Sequence, residues 1–212
     1  MINEIVYKFA LDTTYNKVNV IKKNSNYTKV LRFKKRLNIN KIYSLPHSDR
    51  DNSSSTMNYI SDVLRGTFSI LHYTPHDPWK LHRGFPSARC LHTIESYLIV
   101  NKASQELEQG AYRFDPLRNE LEVIGLGDPS YLLERVFNQD MKRVSRIWVF
   151  SSEFWRLGKE YGDFAYNLAL LEAGHAIEQL YMHINTRQKS NHSQLRYVFL
   201  LSEYCENAKH PR

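Results

Sequence analysis

The stretch GDFAYNLALLEAGHAIEQLYMHI, residues 162–184, decides the fold of this chain. Its large apolar residues recur every three or four positions, which is the period of an α-helix. Smaller apolar residues between them widen the apolar band, and a band this wide predicts a helix that is buried on most of its surface. The two sets are Phe164, Leu168, Leu171, Ile177, Leu180, Tyr181 and Ile184, and Ala165, Ala169, Leu170, Ala173 and Ala176.

Three polar residues, Glu172, His175 and Glu178, lie on or beside this crowded helix. A buried polar group that is left unpaired costs about 1–3 kcal/mol. We therefore expect these side chains to have partners. Small residues such as Ala173 and Gly174 would let another backbone approach the helix closely.

The rest of the chain mixes helical and strand-like segments. Apolar residues at helical spacing predict helices at 59–71 and 131–143, and the segment 73–89, rich in Pro, His and Gly, is expected to be irregular. No internal repeat is visible. Strands are predicted at 97–100, 146–152 and 196–203, and a hairpin around a DPLRN turn is predicted at 111–125.

Length and composition limit the class of protein. The 212 residues, 42% of them apolar, fit one globular domain or one domain with an arm. No stretch approaches the roughly 20 apolar residues of a membrane helix, and the N-terminal residues lack the pattern of a signal peptide. Only two cysteines are present, Cys90 and Cys205, which favours a reducing compartment. The expectation is a soluble cytoplasmic protein.

Positive charge is concentrated at the N-terminus. Residues 1–50 hold eleven basic and three acidic residues, a net charge of +8, whereas the remainder has a net charge of −1. The polar segment 44–58 suggests a boundary, so we divide the chain into a basic N-terminal arm or small β extension at 1–50 and a body at 51–212. The arm contains strand-like segments at 2–11 and 27–34. It is either a solvated face or a surface that attracts an anionic partner.

Several functional classes lack their sequence signatures. The nine histidines do not form a zinc-ligand spacing with cysteines or carboxylates, so no metal site is predicted. The chain has no nucleophile elbow of the G-x-S-x-G type, no G-x-G-x-x-G and no P-loop. Aromatic residues interleave with the basic arm, but no nucleic-acid-binding signature accompanies them, so nucleic acid is an unlikely partner.

Three segments, in this order, carry a resemblance to a known family. They are RGFPSARCLH at 83–92, which leads into TIESYLIV, then GAYRFDP at 110–116, and YGDFAY at 161–166, which leads into LALLEAGHAIEQLYM. Together they resemble the azoline dehydrogenases of thiazole/oxazole-modified peptide pathways, of the streptolysin and microcin-B type. These enzymes are a branch of the FMN-dependent nitroreductase superfamily. The resemblance covers about residues 60–203 and leaves the basic arm outside it.

The resemblance implies a fold and an activity. The fold would be α+β, with a nitroreductase-like mixed sheet flanked by helices and a long buried central helix. The family binds FMN at a subunit interface, oxidises azolines to azoles on a ribosomally made peptide and passes the hydride to oxygen. The implied partners are a second copy of the chain or a cyclodehydratase in a hetero-complex, and the precursor peptide.

The resemblance also implies roles for individual residues. Arg83 would contact the flavin phosphate, because a guanidinium binds such anions in a bidentate manner. Tyr161, with Lys159 close to the position of the family lysine, would assist proton removal. The remaining cofactor-binding candidates are Pro86, Ser87, Ala88 and Gln179.

This chain also departs from the family pattern. Glu160 occupies the position of the family lysine, with Lys159 one place off register, and such a slip turns a side chain in a different direction. The other changed positions are Ala88 and Arg89 for glycines, Phe164 and Asn167 for arginines, and Gln179 for an asparagine. A second hypothesis is therefore a catalytically inactive subunit that scaffolds a peptide-modifying complex or binds its precursor peptide.

Each candidate residue also has a purely structural interpretation. Arg83 could pair with a surface carboxylate, and Ser87 could cap a helix. Tyr161 could be a core aromatic residue with its hydroxyl at the edge. Glu172 and His175 could be helix-packing groups whose hydrogen bonds are satisfied.

Overall fold

The computed structural model describes residues 41–47, 55–74, 76, 81–141, 143–187 and 197–201. The strands predicted at 2–11 and 27–34 lie outside the described residues, as does most of the basic arm. Among the residues that the model does describe, no helix is long and apolar enough to cross a membrane.

A six-stranded sheet organises the described chain. Its strands are β1 (Ile42–Ser44), β4 (Ile94–Val100), β5 (Gly110–Asp115), β6 (Glu120–Leu126), β7 (Arg146–Ser152) and β8 (Tyr197–Leu201), in the order β1-β6-β5-β4-β7-β8. All neighbouring pairs are antiparallel except β7 and β8, which run parallel, so the sheet is mixed. A separate two-stranded ribbon consists of β2 (His72–Tyr73) and β3 (Leu81–His82).

Four α-helices accompany the sheet in the described residues. They are α1 (Thr56–Phe68), α2 (Ser130–Phe137), α3 (Phe154–Tyr161) and α4 (Ala165–Arg187). Short 3₁₀ helices lie at Ala88–Cys90 and Gly162–Phe164. Ser55 caps α1, since its hydroxyl oxygen accepts a hydrogen bond from the Asn58 amide at 3.3 Å.

Alternation along the central strands explains how both faces of the sheet are covered. In β4 the side chains of Ile94, Leu98 and Val100 are buried in the same cluster as residues of α1 and α4. On the opposite face, Ile147 joins a second cluster with Leu133 of α2. Helices therefore lie on both sides of the sheet, and the main core is between the sheet and the α1–α4 pair.

The predicted elements largely match the observed ones. The predicted hairpin is β5–β6, and its turn is held by Asp115, whose Oδ1 accepts a hydrogen bond from the Leu117 amide at 2.9 Å. The predicted strands at 146–152 and 196–203 are β7 and β8. The helix predicted at 59–71 has the predicted length but begins three residues earlier, and the helix predicted at 131–143 is shorter. The segment at 73–89, expected to be irregular, contains β3 and the second residue of β2.

The long helix differs from its prediction in one respect. The wide apolar band predicted burial over most of the surface, but within one chain α4 buries only the side that faces α1, α3 and the sheet. Ala169, Ala176 and Leu180 on that side are fully buried, whereas Leu171 is 59% exposed and Met182 is 53% exposed. The sequence pattern cannot distinguish burial within the chain from burial against another chain, because both require apolar side chains.

Helix α1 and the segment that follows β3 approach each other without a side chain between them. A Cβ atom added at Gly84 would overlap the backbone carbonyl oxygen of Gly66 in α1. It would also lie 3.4 Å from Cγ of Gln179 in α4. Glycine at position 84, the second residue of the family-like segment 83–92, therefore lets this segment pack directly on both helices.

We expect Gly84→Ala to destabilise the protein by about 1–3 kcal/mol, because backbone atoms must shift to admit the methyl group. Gly158→Ala is the matched control: the added Cβ meets nothing within 4 Å there, and the residue lies inside α3. Alanine in a helix interior should stabilise by about 0.5–1 kcal/mol. Denaturant unfolding measures the free energy of unfolding of both variants. Equal changes in this free energy would contradict the close approach of Gly84 to the Gly66 carbonyl oxygen.

Candidate functional site

The segment between β3 and β4, residues 86–92, forms a turn with unusual backbone geometry. Arg89, Cys90 and His92 have φ values of 51°, 49° and 50°. These values lie in the left-handed region, which glycine adopts freely and other residues adopt at a cost. Arg89 stands where the resemblance places a family glycine. The turn therefore has, at Arg89, a left-handed backbone conformation that is typical of glycine.

Glu172 of α4 ties this turn to the long helix. Its Oε1 accepts hydrogen bonds from the backbone amides of Thr93 at 2.9 Å and Ile94 at 3.4 Å. Its Oε2 accepts a hydrogen bond from the Thr93 hydroxyl at 3.1 Å. The interpretation of Glu172 as a packing group with satisfied hydrogen bonds is confirmed.

The environment of Glu172 disfavours its charge. Burial raises the pKa of the Glu172 carboxyl, while the hydrogen bonds from Thr93 and the positive charge of Arg83 act in the opposite direction. Only 3% of Glu172 is exposed. The group is thus a buried acceptor for the turn rather than a surface carboxylate.

Arg83 lies just before the turn and points into the protein. Its Nη1 donates a hydrogen bond to the carbonyl oxygen of Ile94 at 3.2 Å. Burial lowers the pKa of the Arg83 guanidinium, and the carboxylates of Glu95 and Glu172 partly offset this effect. Its Nε is buried and has no hydrogen-bond partner among the described residues. Within the described part of the chain, one buried donor of Arg83 is therefore left without an acceptor.

A second anchor holds the end of the turn from the side of α3. The Glu153 amide donates a hydrogen bond to the Thr93 carbonyl oxygen at 2.9 Å. The Glu153 carboxylate in turn accepts a hydrogen bond from Arg156 Nη1 at 3.2 Å, and Arg156 is 3% exposed. Thr93 is thus fixed by α4 through its amide and by the start of α3 through its carbonyl.

His92 is a buried neutral group within the turn. Its Nε2 donates a hydrogen bond to the carbonyl oxygen of Leu81 at 2.7 Å, and its amide donates to Ser87 Oγ at 2.8 Å. Burial lowers the pKa of His92 to about 3, and the nearby charge of Arg83 adds to this effect. Ser87 does not cap the 3₁₀ helix that follows it with its side chain; its hydroxyl oxygen accepts the hydrogen bond from the His92 amide instead.

Tyr161 packs against the outer side of the turn. Together with Ala88 it lines a cluster that includes Leu91 and Leu157. The Arg89 guanidinium lies over the Tyr161 ring, with its carbon 5.3 Å from the ring centroid, and it forms an ion pair with Glu160. Burial raises the pKa of the Tyr161 phenol; the charge of Arg89 lowers it, and that of Glu160 raises it.

The remaining candidates lie in different surroundings. Lys159 is exposed, and its Nζ is 4.9 Å from the centroid of the Trp155 ring. Gln179 is beside Gly84, and its Nε2 is 3.1 Å from Nε2 of His183. Pro86 is exposed at the start of the turn.

Sequence reasoning erred on two polar residues of α4 and overlooked two elsewhere. His175 and Glu178 are exposed, so the expectation that they sit in crowded surroundings is wrong. Arg156 and Thr93 were not identified, although both are buried and hold the turn. The sequence did contain a signal for the Arg156–Glu153 pair, because a basic residue follows Glu153 by three positions at the start of a helix.

The described residues meet some requirements of an FMN site. Arg83 has a spare buried donor, which suits an anionic group, and the turn, whose backbone is of the glycine type, carries the exposed Pro86 and the half-buried Ala88. Ser87 and Gln179 instead direct their polar atoms to partners within the chain. Within the part of the chain that the structure describes, no three His, Cys, Asp or Glu side chains are arranged to hold a metal ion.

Comparison with known proteins reveals similarity of structure. No protein-family model and no curated protein matches the sequence. A candidate nitroreductase from Anabaena variabilis superposes on 86% of this chain with a TM-score of 0.71 and 17% identity, and the chain spans 39% of that protein. A candidate nitroreductase from Ralstonia eutropha gives a TM-score of 0.44 at 15% identity, over 67% of this chain and 70% of the other.

A further match is the microcin synthetase McbBCD complex of E. coli with truncated pro-MccB17 bound. It gives a TM-score of 0.49 at 18% identity, over 86% of this chain and 78% of the matched one. The superposition on the Anabaena protein is close enough to define the fold, and the chain has a nitroreductase-like α+β fold. The predicted fold class is confirmed.

We expect His92 to make the protein sensitive to acid. Its pKa is about 3 in the folded chain and about 6.5 when unfolded, so between these values only the unfolded chain binds the proton. As the pH falls through this window, wild-type protein should lose up to about 1.4 kcal/mol per pH unit relative to His92→Gln. Denaturant unfolding across the window measures this, with His47→Gln, at an exposed position outside α4, as the control. Parallel stability curves for wild type and His92→Gln would refute it.

Proposed function

We propose that this chain is an FMN-dependent oxidoreductase-like protein that acts in the oxidation of azolines to azoles on a ribosomally made peptide. One observation carries the proposal: the three family-like segments meet around the 86–92 turn. Glu172 of the third segment bonds to Thr93, and Tyr161 packs on the same apolar cluster as Ala88 of the turn. The second segment contributes β5, which pairs with β4 directly after the turn.

FMN, when bound, would accept the hydride that leaves the azoline ring. Arg83 has a spare buried donor that would contact the phosphate, and the backbone of the turn at Pro86 and Ala88 would lie against the flavin. Tyr161 would assist proton transfer, as the resemblance implies. Because burial raises its pKa, Tyr161 is a neutral phenol at neutral pH, able to donate a hydrogen bond but not to accept a proton unaided.

The exposed side of α4 supports association with another chain. Large apolar residues that a monomer would leave in water form a stripe along it: Tyr166, Leu170, Leu171, Tyr181 and Met182. Contiguous exposed apolar surface of this kind is typical of interaction sites. We include in the proposal that α4 forms the interface of a homodimer or of a hetero-complex with a cyclodehydratase, in a reducing cytoplasm.

A specific observation favours the second candidate function, a catalytically inactive subunit that scaffolds the complex or binds its precursor peptide. The family lysine is missing: Lys159 lies over Trp155, and Glu160, at the family position, pairs with Arg89. In that case the fold would serve for assembly, and the basic arm, residues 1–50, would contact an anionic partner.

Flavin content separates the two candidates. We expect the purified protein to be yellow, with close to one FMN per chain that denaturation releases. Arg83→Ala should weaken FMN retention because it removes the spare donor. Exposed Arg135→Ala is the matched control and should retain FMN as wild type does. A colourless protein that also fails to take up added FMN would eliminate the oxidoreductase and leave the inactive subunit.

The interface proposal is tested separately by light scattering. Wild-type protein is expected to be a dimer, and Leu171→Arg should shift it to a monomer because a charge would enter an apolar contact. Leu117→Arg is the control, since Leu117 is 47% exposed in the β5–β6 turn, away from α4. A wild-type protein that stays monomeric over a wide concentration range with FMN present would contradict a homodimer through α4.

A further inference from the structure

Tyr161 has a cationic neighbour, although it is not the lysine that the resemblance implies. Lys159 precedes Tyr161 by two residues, and its ammonium lies over the Trp155 ring. The Arg89 guanidinium, from the 86–92 turn, lies over the face of Tyr161 at 5.3 Å from the ring centroid. A guanidinium within about 6 Å of an aromatic centroid is attracted to the ring. The two residues are 72 positions apart in the sequence.

The contact between Arg89 and Tyr161 depends on an unusual backbone conformation at Arg89. With φ at 51°, position 89 suits glycine, and a side chain there is carried at a conformational cost. The arginine uses that position to reach Tyr161 and Glu160 on the last turn of α3. The left-handed backbone at Arg89 therefore places a positively charged guanidinium beside the Tyr161 phenol.

Two charges of opposite sign from two elements face Tyr161. Arg89, from the turn, favours the phenolate, and Glu160, from α3, favours the neutral phenol. The packed residues of α4 on this side, Ala165, Leu168 and Ala169, are apolar and do not titrate. The acidity of the phenol is thus set by burial and by the Arg89–Glu160 pair.

We propose that Arg89 replaces the displaced lysine as the cationic partner of Tyr161, positioning the phenol and setting its proton affinity. This inference rests on the proposed function for its purpose, since proton transfer matters only if the site carries out oxidation. The contact between Arg89 and Tyr161 does not depend on flavin, so it can be tested in the protein alone. Arg89 is in this sense a positioning residue and not a catalytic one.

Arg89→Gly is the decisive variant because the backbone favours glycine at this position, so loss of folding is not expected. The ionisation of Tyr161 can be isolated from that of the other tyrosines by ultraviolet titration of each protein against its Tyr161→Phe counterpart. We expect Arg89→Gly to move the Tyr161 midpoint to higher pH and Glu160→Gln to move it to lower pH. Arg89→Lys, which keeps the charge, should restore the midpoint at least in part.

Lys159→Ala tests the competing assignment in the same titration and should leave the Tyr161 midpoint unchanged. An unchanged midpoint in Arg89→Gly, or a shift in Lys159→Ala as large as that in Arg89→Gly, would overturn the proposal. Failure of the proposed function has a different signature: wild-type protein would take up no FMN while the Arg89→Gly shift persisted. With FMN bound and an azoline peptide as substrate, Arg89→Gly should move the pH profile of kcat in the same direction as the midpoint.

Discussion

The buried carboxyl group of Glu172 is the interaction on which the candidate site depends. It joins α4 to the 86–92 turn through the Thr93 amide, the Thr93 hydroxyl and the Ile94 amide. Without an acceptor there, two backbone amides would be buried unpaired, at a cost of about 1–3 kcal/mol each. The turn leads directly into β4, a central strand of the sheet, so one side chain connects the helix, the turn and the sheet.

This anchoring explains how the turn holds a left-handed backbone at residues that are not glycine. Arg89 holds a left-handed conformation, which costs free energy and persists because the surroundings fix it. Glu172 on one side and Glu153 on the other fix Thr93 at the end of the turn. The fold can therefore carry an arginine in a glycine position, and that arginine brings a charge to Tyr161.

The sequence predicted the elements better than the contacts. The long helix, the β5–β6 hairpin and β7 follow from local periodicity, and the order of three segments was sufficient for the nitroreductase-like fold class. Glu172 was recognised as a packing group, but its partner Thr93 is 79 residues away, and nothing local identifies it. The Arg89–Glu160 pair spans 71 residues in the same way. The exposed stripe on α4 was taken for buried surface because apolar periodicity does not show which molecule covers it.

Amide hydrogen exchange at Thr93 tests the anchoring role of Glu172 most directly. Glu172→Ala should accelerate exchange of the Thr93 amide roughly 10- to 100-fold, the equivalent of about 1–3 kcal/mol, while Leu98 in the middle of β4 stays protected. Exposed Glu178→Ala, on the same helix, should change neither amide. If Glu172→Ala leaves Thr93 protected, or accelerates Thr93 and Leu98 equally, then the carboxyl group of Glu172 does not hold the turn.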